Sequence, residues 1–429
     1  MNAARTLLYD LFQTAVAAVH PATCLVPRLP QPPARGRLIV LAAGKAAGSM
    51  AEVAEQHYLD TLALPPAQIS GLVVTRHGYG RPTRHIPVIE AGHPIPDDAG
   101  LNAARETLAL ATSAGVEDLV LVLLSGGASA NWIAPASGLT LAEKQAVTRA
   151  LLRCGASIGE INTVRKHLSA IKGGRLATRA APAKVITLAI SDVPGDDPAV
   201  IGSGPSVPDP TTLTDARAVI AHYALDLPDA ISRALNNAAN ESPKSDDPAF
   251  ANATFRLIAR PADAFAAVNA KVHAAGYECI MLGDRLEGEA STVAAEHAAL
   301  ARDLKARGRR AAILSGGELT VTIRGQGRGG PNQEYALALA THLAGTKAIA
   351  ALAADTDGTD GGAGSADDPA GAYVDADTVS RAKAAGLDPA AFLRNNDSTA
   401  FFAALSDLVM TGPTFTNVND FRAILVDKE

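Results

Sequence analysis

Cysteine, aromatic residues, excess positive charge and long apolar runs are all scarce in this chain. Its three cysteines, Cys24, Cys154 and Cys279, lie far apart, show no metal-ligand spacing and cannot all pair with one another. That excludes a disulfide scaffold and points to free, buried thiols in a reducing compartment. Aromatic residues make up 4% of the chain, but a hydrophobic content of 48%, built on Ala, Val, Leu and Ile, supplies ample core material. The 38 Lys and Arg stand against 44 Asp and Glu, and the net charge of −6 offers no basic field to nucleic acid. Residues 119–142 carry no charge, yet Ser125-Gly126-Gly127 and Asn131 interrupt them before a membrane-spanning length of about 20 apolar residues is reached. The N-terminal stretch through Val19 holds Arg5 and then Asp10, which describes an amphipathic helix and not an export signal. These absences leave a cytoplasmic globular protein with a small soluble partner, no nucleic acid and no membrane. A length of 429 residues favours two domains.

What is present is a long alternation of apolar strands and helical patterns. The run LIVLAAG ends at Lys45 and passes straight into a helix, which sets a cation near a helix N-terminus suited to anions. The strand ISGLVVTR and the short strand around VIEAGHP follow, the latter carrying His93 in a turn that also lines a cleft. Asp118-LVLVLL lacks alternation, as a parallel strand covered on both faces does, and ends in Ser125-Gly126-Gly127-Ala128-Ser129. Its glycines let a backbone approach a ligand or simply turn the chain. A capping box, Thr140 to Glu143, opens the next helix. Arg165, Lys166, Lys172 and Arg175 then sit on a short helix and its glycine turn, where cations can merely complement the helix dipole. The strand KVITLAI delivers Asp192 to a Gly-Pro-rich loop at the carboxyl end of the sheet, a place for a ligand-cleft or Mg²⁺ residue or for a cap. A polar, aperiodic segment over 236–252 marks the expected boundary between domains at 1–240 and 253–429, with FRLIAR opening the second.

The second half is organised around Ala312 to Asp360. There Gly325-x-Gly327-x-x-Gly330 matches the dinucleotide fingerprint, and Asp355 falls where a ribose-binding acid would stand. Two features oppose that reading. The preceding ELTVTIR alternates like a half-exposed strand, and Arg328 would crowd a pyrophosphate but suits a clamp on a phosphoryl oxygen. Asp355, Asp357 and Asp360 do not fit the calcium-loop spacing; a strand-end carboxylate acting as a base fits better than a purely structural turn. Further on, Asp397 or Ser398 caps a helix.

Taken together, AAGKAA around Lys45, EAGHPIPD around His93, LLSGGASA, INTVRKHLSAIKGG, ISDVPGDDP with GSGPSVPDPTT, LSGGELTVTI, GRGGPNQE and AADTDGTDGGAG resemble the glycerate 2-kinase family whose C-terminal half is called MOFRL. Some members carry an older hydroxypyruvate reductase label. The resemblance covers nearly the whole chain. It implies an α/β fold of two domains: an N-terminal Rossmann-like open sheet with helices on both faces, a C-terminal α/β MOFRL-type domain, and an active site in the cleft between them that closes on binding. It implies ATP and Mg²⁺ as cofactors, D-glycerate as substrate, and permits a homodimer. The implied catalytic residues are Lys45, Arg328 and Asp355. Ser125, Gly126, Gly127, Ser129, Gly202, Ser203 and Gly204 would bind the nucleotide, with Asp192 for the metal. His93, Asn162, Lys166, Asn332 and Glu334 would contact the substrate. The rival activities are NAD(P)H-dependent hydroxypyruvate reduction and non-catalytic binding of a sugar acid.

Overall fold

The computed structural model describes residues 3–361 and 365–428; the last three residues of the AADTDGTDGGAG motif, 362–364, lie outside the described residues. Two compact units make up the chain. One runs from Cys24 to Ile258, and the other joins the segment up to Thr23 with the chain from Ala259 onward.

The first unit holds strands β1 (Leu38–Ala43), β2 (Ile69–Arg76), β3 (Val88–Ala91), β4 (Leu119–Leu124), β5 (Lys184–Ile190) and β6 (Ala253–Ala259) in the order β3-β2-β1-β4-β5-β6. The pairings from β3 through β5 are all parallel. This is the strand order of a Rossmann fold, as the sequence led us to expect. Both central strands, β1 and β4, are buried along their whole length, which explains why their sequences are continuous apolar runs. The capping box at Thr140 forms as read, with the Thr140 hydroxyl and the Glu143 carboxylate each accepting from the other's backbone N–H. Apolar side chains from helices Asp98–Thr112 and Arg175–Ala180 join one core cluster with the sheet.

The second unit holds β7 (Glu278–Met281), β8 (Ala311–Ser315), β9 (Ile349–Asp355), β10 (Gly371–Asp375), β11 (Leu408–Val409) and β12 (Asp420–Val426) in the order β11-β10-β9-β12-β8-β7. Only β7 and β8 pair in parallel; β12 runs antiparallel to both β8 and β9, so the sheet is mixed. Helix Pro331–His342 is buried on nearly every side and packs on helix Ala290–Ala306 and on β9 and β10. The N-terminal helix Ala3–Val19 buries Leu8, Leu11, Phe12, Ala15, Val16 and Val19, the stripe expected of an amphipathic helix. It packs in this unit, with the Phe12 and Phe421 rings 5.9 Å apart.

Several local expectations change. The compact units divide the chain differently from 1–240 and 253–429, because the N-terminal helix joins the C-terminal unit and FRLIAR forms β6 at the edge of the first sheet. The polar segment before β6 is compositionally distinct because its side chains find partners within the first unit: Glu241 accepts from the Leu213 N–H at 3.0 Å and Lys244 donates to the Ser242 hydroxyl at 2.8 Å. ELTVTIR makes one isolated bridge, Glu289 to Thr320, after another just before it, Leu286 to Gly317, and not a strand. Side chains replace the ladder there, since Asn396 Oδ1 accepts from the Arg324 and Gly325 N–H groups at 2.7 and 3.0 Å. The three cysteines are free but half-buried. Among the described residues no helix is long and apolar enough to cross a membrane.

Candidate active site

In the Rossmann-like unit the strand order reverses between β1 and β4, the switch point at whose carboxyl ends open α/β sheets bind ligands. Lys45 starts the loop after β1. Its backbone N–H donates to the Gly126 carbonyl at 2.7 Å, and the Ala46 N–H donates to Ser125 Oγ at 2.9 Å. The two loops can lie this close because Gly44 has φ +117°; a Cβ there would stand 2.4 Å from Ser125. Gly127, at φ +87°, leaves a second cradle. A Cβ on it would sit 3.1 Å from the His93 ring and 3.3 Å from Lys45 Cγ. Residues from the ends of β1, β3 and β4 thus converge on one point. Thr75, which the sequence reading passed over, fixes the floor by donating its hydroxyl to the Gly44 carbonyl at 3.0 Å.

Beyond Gly127, the hydroxyls of Ser129 and Ser203 are 2.8 Å apart. Gly202, Ser203 and Gly204 are successive left-handed residues with φ near +60°, and the buried, non-glycine Ser203 stores strain of a kind that clusters at functional sites. Lys172, fully buried, donates to the carbonyls of Ser129 and Trp132 at 2.9 and 3.0 Å and so pins the same loop. Asp192 is half-buried just past β5, the neighbour of β4. Lys166 is engaged elsewhere, in a buried ion pair with Asp209 at 3.2 Å. Asn162 is 5% exposed and accepts from Arg165 Nη1 at 3.4 Å.

In the mixed-sheet unit Asp355 is the last residue of β9, where its Oδ1 accepts the Asp357 N–H at 2.9 Å. Asp357 in turn accepts the Thr359 N–H at 2.8 Å, and Asp360 accepts the N–H groups of Asn332 and Gln333 at 3.0 and 2.8 Å. Burial pushes the Asp360 carboxyl up to about 7, against the pull of those two donors. Asp355 and Asp357 therefore each close a backbone turn, Asp360 satisfies N–H groups in the first turn of helix Pro331–His342, and of the three only Asp355 is not fully buried. Arg328 keeps a side chain 64% exposed, in an ion pair with Asp368 at 3.0 Å. The guanidinium end of the pair faces solvent while the Asp368 side chain is 4% exposed. The glycines of the fingerprint serve packing: a Cβ on Gly325 would meet the Asn395 backbone at 2.3 Å, one on Gly327 would meet Asp397 Cβ at 2.3 Å, and one on Gly330 would meet Asp360 at 2.4 Å. Asp397 does not cap the helix at Ser398 through its side chain; its carboxylate accepts the Arg328 N–H at 3.1 Å instead. Asn332 is fully buried, donating to Asp420 at 2.6 Å and to Asp360 at 3.2 Å. Glu334, 6% exposed, accepts from Asn396 at 3.5 Å, and burial with the nearby Glu289 charge raises its pKa to about 7. Among the described residues no group of three or more His, Cys, Asp or Glu could hold a metal ion.

Residues 7–236 match the family model described as a domain of unknown function, DUF4147, and residues 311–420 match the MOFRL family. A D-glycerate 2-kinase of Thermotoga maritima is 38% identical over 421 residues, 97% of each chain. A crystal structure described as glycerate kinase from the same organism superposes with a TM-score of 0.86 at 37% identity, covering 99% of this chain and 100% of that one. The chain belongs to the MOFRL glycerate kinase family. A provisionally named hydroxypyruvate reductase of Agrobacterium vitis is also similar, at 47% identity over 99% of this chain and 94% of that one. In this glycerate kinase family member, the DUF4147 match covers most of the Rossmann-like unit and the MOFRL match falls within the mixed-sheet unit.

Proposed function

We propose that the protein is an ATP-dependent glycerate 2-kinase that converts D-glycerate to 2-phospho-D-glycerate. The observation that carries this reading is the convergence of Lys45, His93 and the Gly127 cradle at the switch point of the Rossmann-like sheet, in a chain with a D-glycerate 2-kinase relative matched along its length. Backbone donors and a cation gathered at strand ends make a phosphate site. The Ser125–Ser129 loop and the Gly202–Gly204 turn are assigned to the nucleotide phosphates; their glycines let the backbones pack closely, a Cβ at Gly202 standing 3.3 Å from Ala128 Cβ and one at Gly204 3.0 Å from Ala199. A nucleotide-borne Mg²⁺ keeps most of its waters and takes one or two carboxylates, so Asp192, just past the strand that neighbours β4, suits it without a protein cage. When bound, the ion would neutralise charge on the phosphates.

In the proposed reaction Lys45 and Arg328 offset the charge of the transferring phosphoryl group. Asp355 orients the 2-hydroxyl of D-glycerate and takes its proton as the oxygen bonds to the γ-phosphorus, the bond to the β-phosphate oxygen breaks and ADP leaves. Phosphoryl transfer asks for positioning and charge neutralisation above all, which two cations and a carboxylate can supply. The test is direct: protein, ATP, Mg²⁺ and D-glycerate in one arm, NADH or NADPH with hydroxypyruvate in the other. ADP release in the first and no nicotinamide oxidation in the second is the expected result; the reverse supports the reductase named among the relatives, and neither supports a binding protein.

A further inference from the structure

Five cations crowd the helix Ile158–His167 and its flanks: Lys144, Arg165, Lys166, Lys172 and Arg175. Lys166 takes Asp209 as its counter-ion, and Asp209 and Glu241 both act on Arg175. Arg165 has no such partner. Its guanidinium is half-buried, and among the described residues its contact is the weak 3.4 Å hydrogen bond to Asn162 Oδ1, with no carboxylate in reach.

Three ordinary explanations fail for it. Arg165 does not cap its helix, because Lys144 Nζ already holds the Arg165 and Leu168 carbonyls at 3.5 and 2.8 Å, while Arg175 takes the Lys166 and Lys172 carbonyls at 3.1 and 3.3 Å. It does not offset a local negative charge, since the groups that feel its charge are the buried amines of Lys144 and Lys172. Burial pushes both of these well below the usual lysine range, helped by the Lys172 and then the Arg165 charge at Lys144 and by the Arg165 charge at Lys172. Nor can it relieve the crowding by losing its proton, as those lysines can, because a guanidinium stays charged at neutral pH. A desolvated, permanently charged fork without an anion is costly, and a bound oxyanion removes the cost. Lys172, which feels the Arg165 charge, ties the cluster to the Ser129 carbonyl at 2.9 Å.

We propose that Arg165, steadied by Asn162, receives the carboxylate of the 2-hydroxy acid substrate and selects acids over uncharged polyols. The assignment rests on the glycerate kinase reading of the same site. A planar guanidinium pairs with a carboxylate through two parallel N–H donors, which fixes the direction of the acid as well as its presence. Recognition of a carboxylate by this residue also explains why the cluster carries one more cation than its acids and carbonyls employ.

The test compares wild type with Arg165→Gln and Arg165→Lys, each first checked for an unchanged thermal midpoint. KM is measured separately for D-glycerate and for ATP, and D-glycerate is titrated alone onto each protein by calorimetry. The expected result for Arg165→Gln is a rise of about 30-fold or more in the D-glycerate KM, loss of calorimetric binding and an ATP KM within about threefold of wild type. Arg165→Lys recovers part of the affinity, and glycerol competes better against D-glycerate in Arg165→Gln than in wild type. An unchanged D-glycerate KM overturns the assignment, and so does a rise confined to ATP, which would give Arg165 to the nucleotide phosphates. Wild-type protein that binds D-glycerate but releases no ADP contradicts the kinase reading while leaving the calorimetric comparison at Arg165 to decide this one.

Discussion

Lys45→Ala, Arg328→Ala and Asp355→Asn are each expected to lower kcat by about 10²-fold or more with little change in folding, because each removes a group acting on the phosphoryl group or the proton in the proposed transition state. Steady-state ADP release with a circular dichroism control checks this, and a wild-type rate removes that residue from the mechanism. Gly127→Ala tests the cradle from the other side. Its methyl would have to enter a left-handed residue 3.1 Å from His93 and 3.3 Å from Lys45 Cγ, and a displaced lysine should cut kcat by about 10²-fold. A fifth residue reports on stability. The folded pKa of Glu334, about 7, lies above its ordinary 4.5. The stability held by its neutral carboxyl is thus fully present below about pH 4.5 and is lost as pH rises through about 7. Glu334→Gln cannot ionise, so thermal midpoints measured between pH 5 and 8 should fall less in the variant, the full effect being about 3 kcal/mol. A slope equal to wild type would place the ionisation elsewhere. Among the proposed site residues, the strand-end placement of Lys45 and Asp355 was legible because an apolar run stops at each. Lys166 and Asn332 were not, since a spacing pattern gives no sign that Asp209 or Asp420 will come round to occupy their side chains.

Strands β1, β2, β4 and β5 could be read from sequence because covered parallel strands leave continuous apolar runs. Leu121→Ala, in the middle of β4 and fully buried, is expected to cost about 2–5 kcal/mol in chemical denaturation. Alternation was the less reliable signal. ELTVTIR has the pattern of a strand but lies where Glu289 and Asn396 side chains satisfy its backbone, and FRLIAR, read as the start of a new domain, completes the sheet of the old one. The glycine fingerprint misleads for a related reason. Close approach of backbone is what its glycines provide, and here the approaching backbone belongs to residues 395–397 and to Asp360. Gly327→Ala should therefore lower the thermal midpoint by several degrees, and fluorescence titration with NADH should be no different from wild type. Nicotinamide binding that is present in wild type and lost in the variant would restore the fingerprint reading.

At the scale of the whole molecule, the chain begins and ends in the same compact unit. Arg5 pairs with Asp407 at 2.9 Å, the Val19 carbonyl accepts the Thr416 hydroxyl at 2.8 Å, and Phe12 meets Phe421 of β12. Deleting the chain up to Thr23 should consequently raise hydrogen exchange in β9 and β12 and leave β1 and β4 protected; the opposite pattern would tie the N-terminal helix to the Rossmann-like unit. Both family matches, the Rossmann strand order and the switch-point cradle bear on a single claim, that this is a kinase acting on the 2-hydroxyl of D-glycerate. Identification of the product tests it most directly. Incubation with ATP, Mg²⁺ and D-glycerate, followed by phosphorus NMR, should yield ADP and 2-phosphoglycerate in equal amounts. Formation of 3-phosphoglycerate would contradict the assigned pose of the substrate, and no phosphorylated acid at all would contradict the kinase.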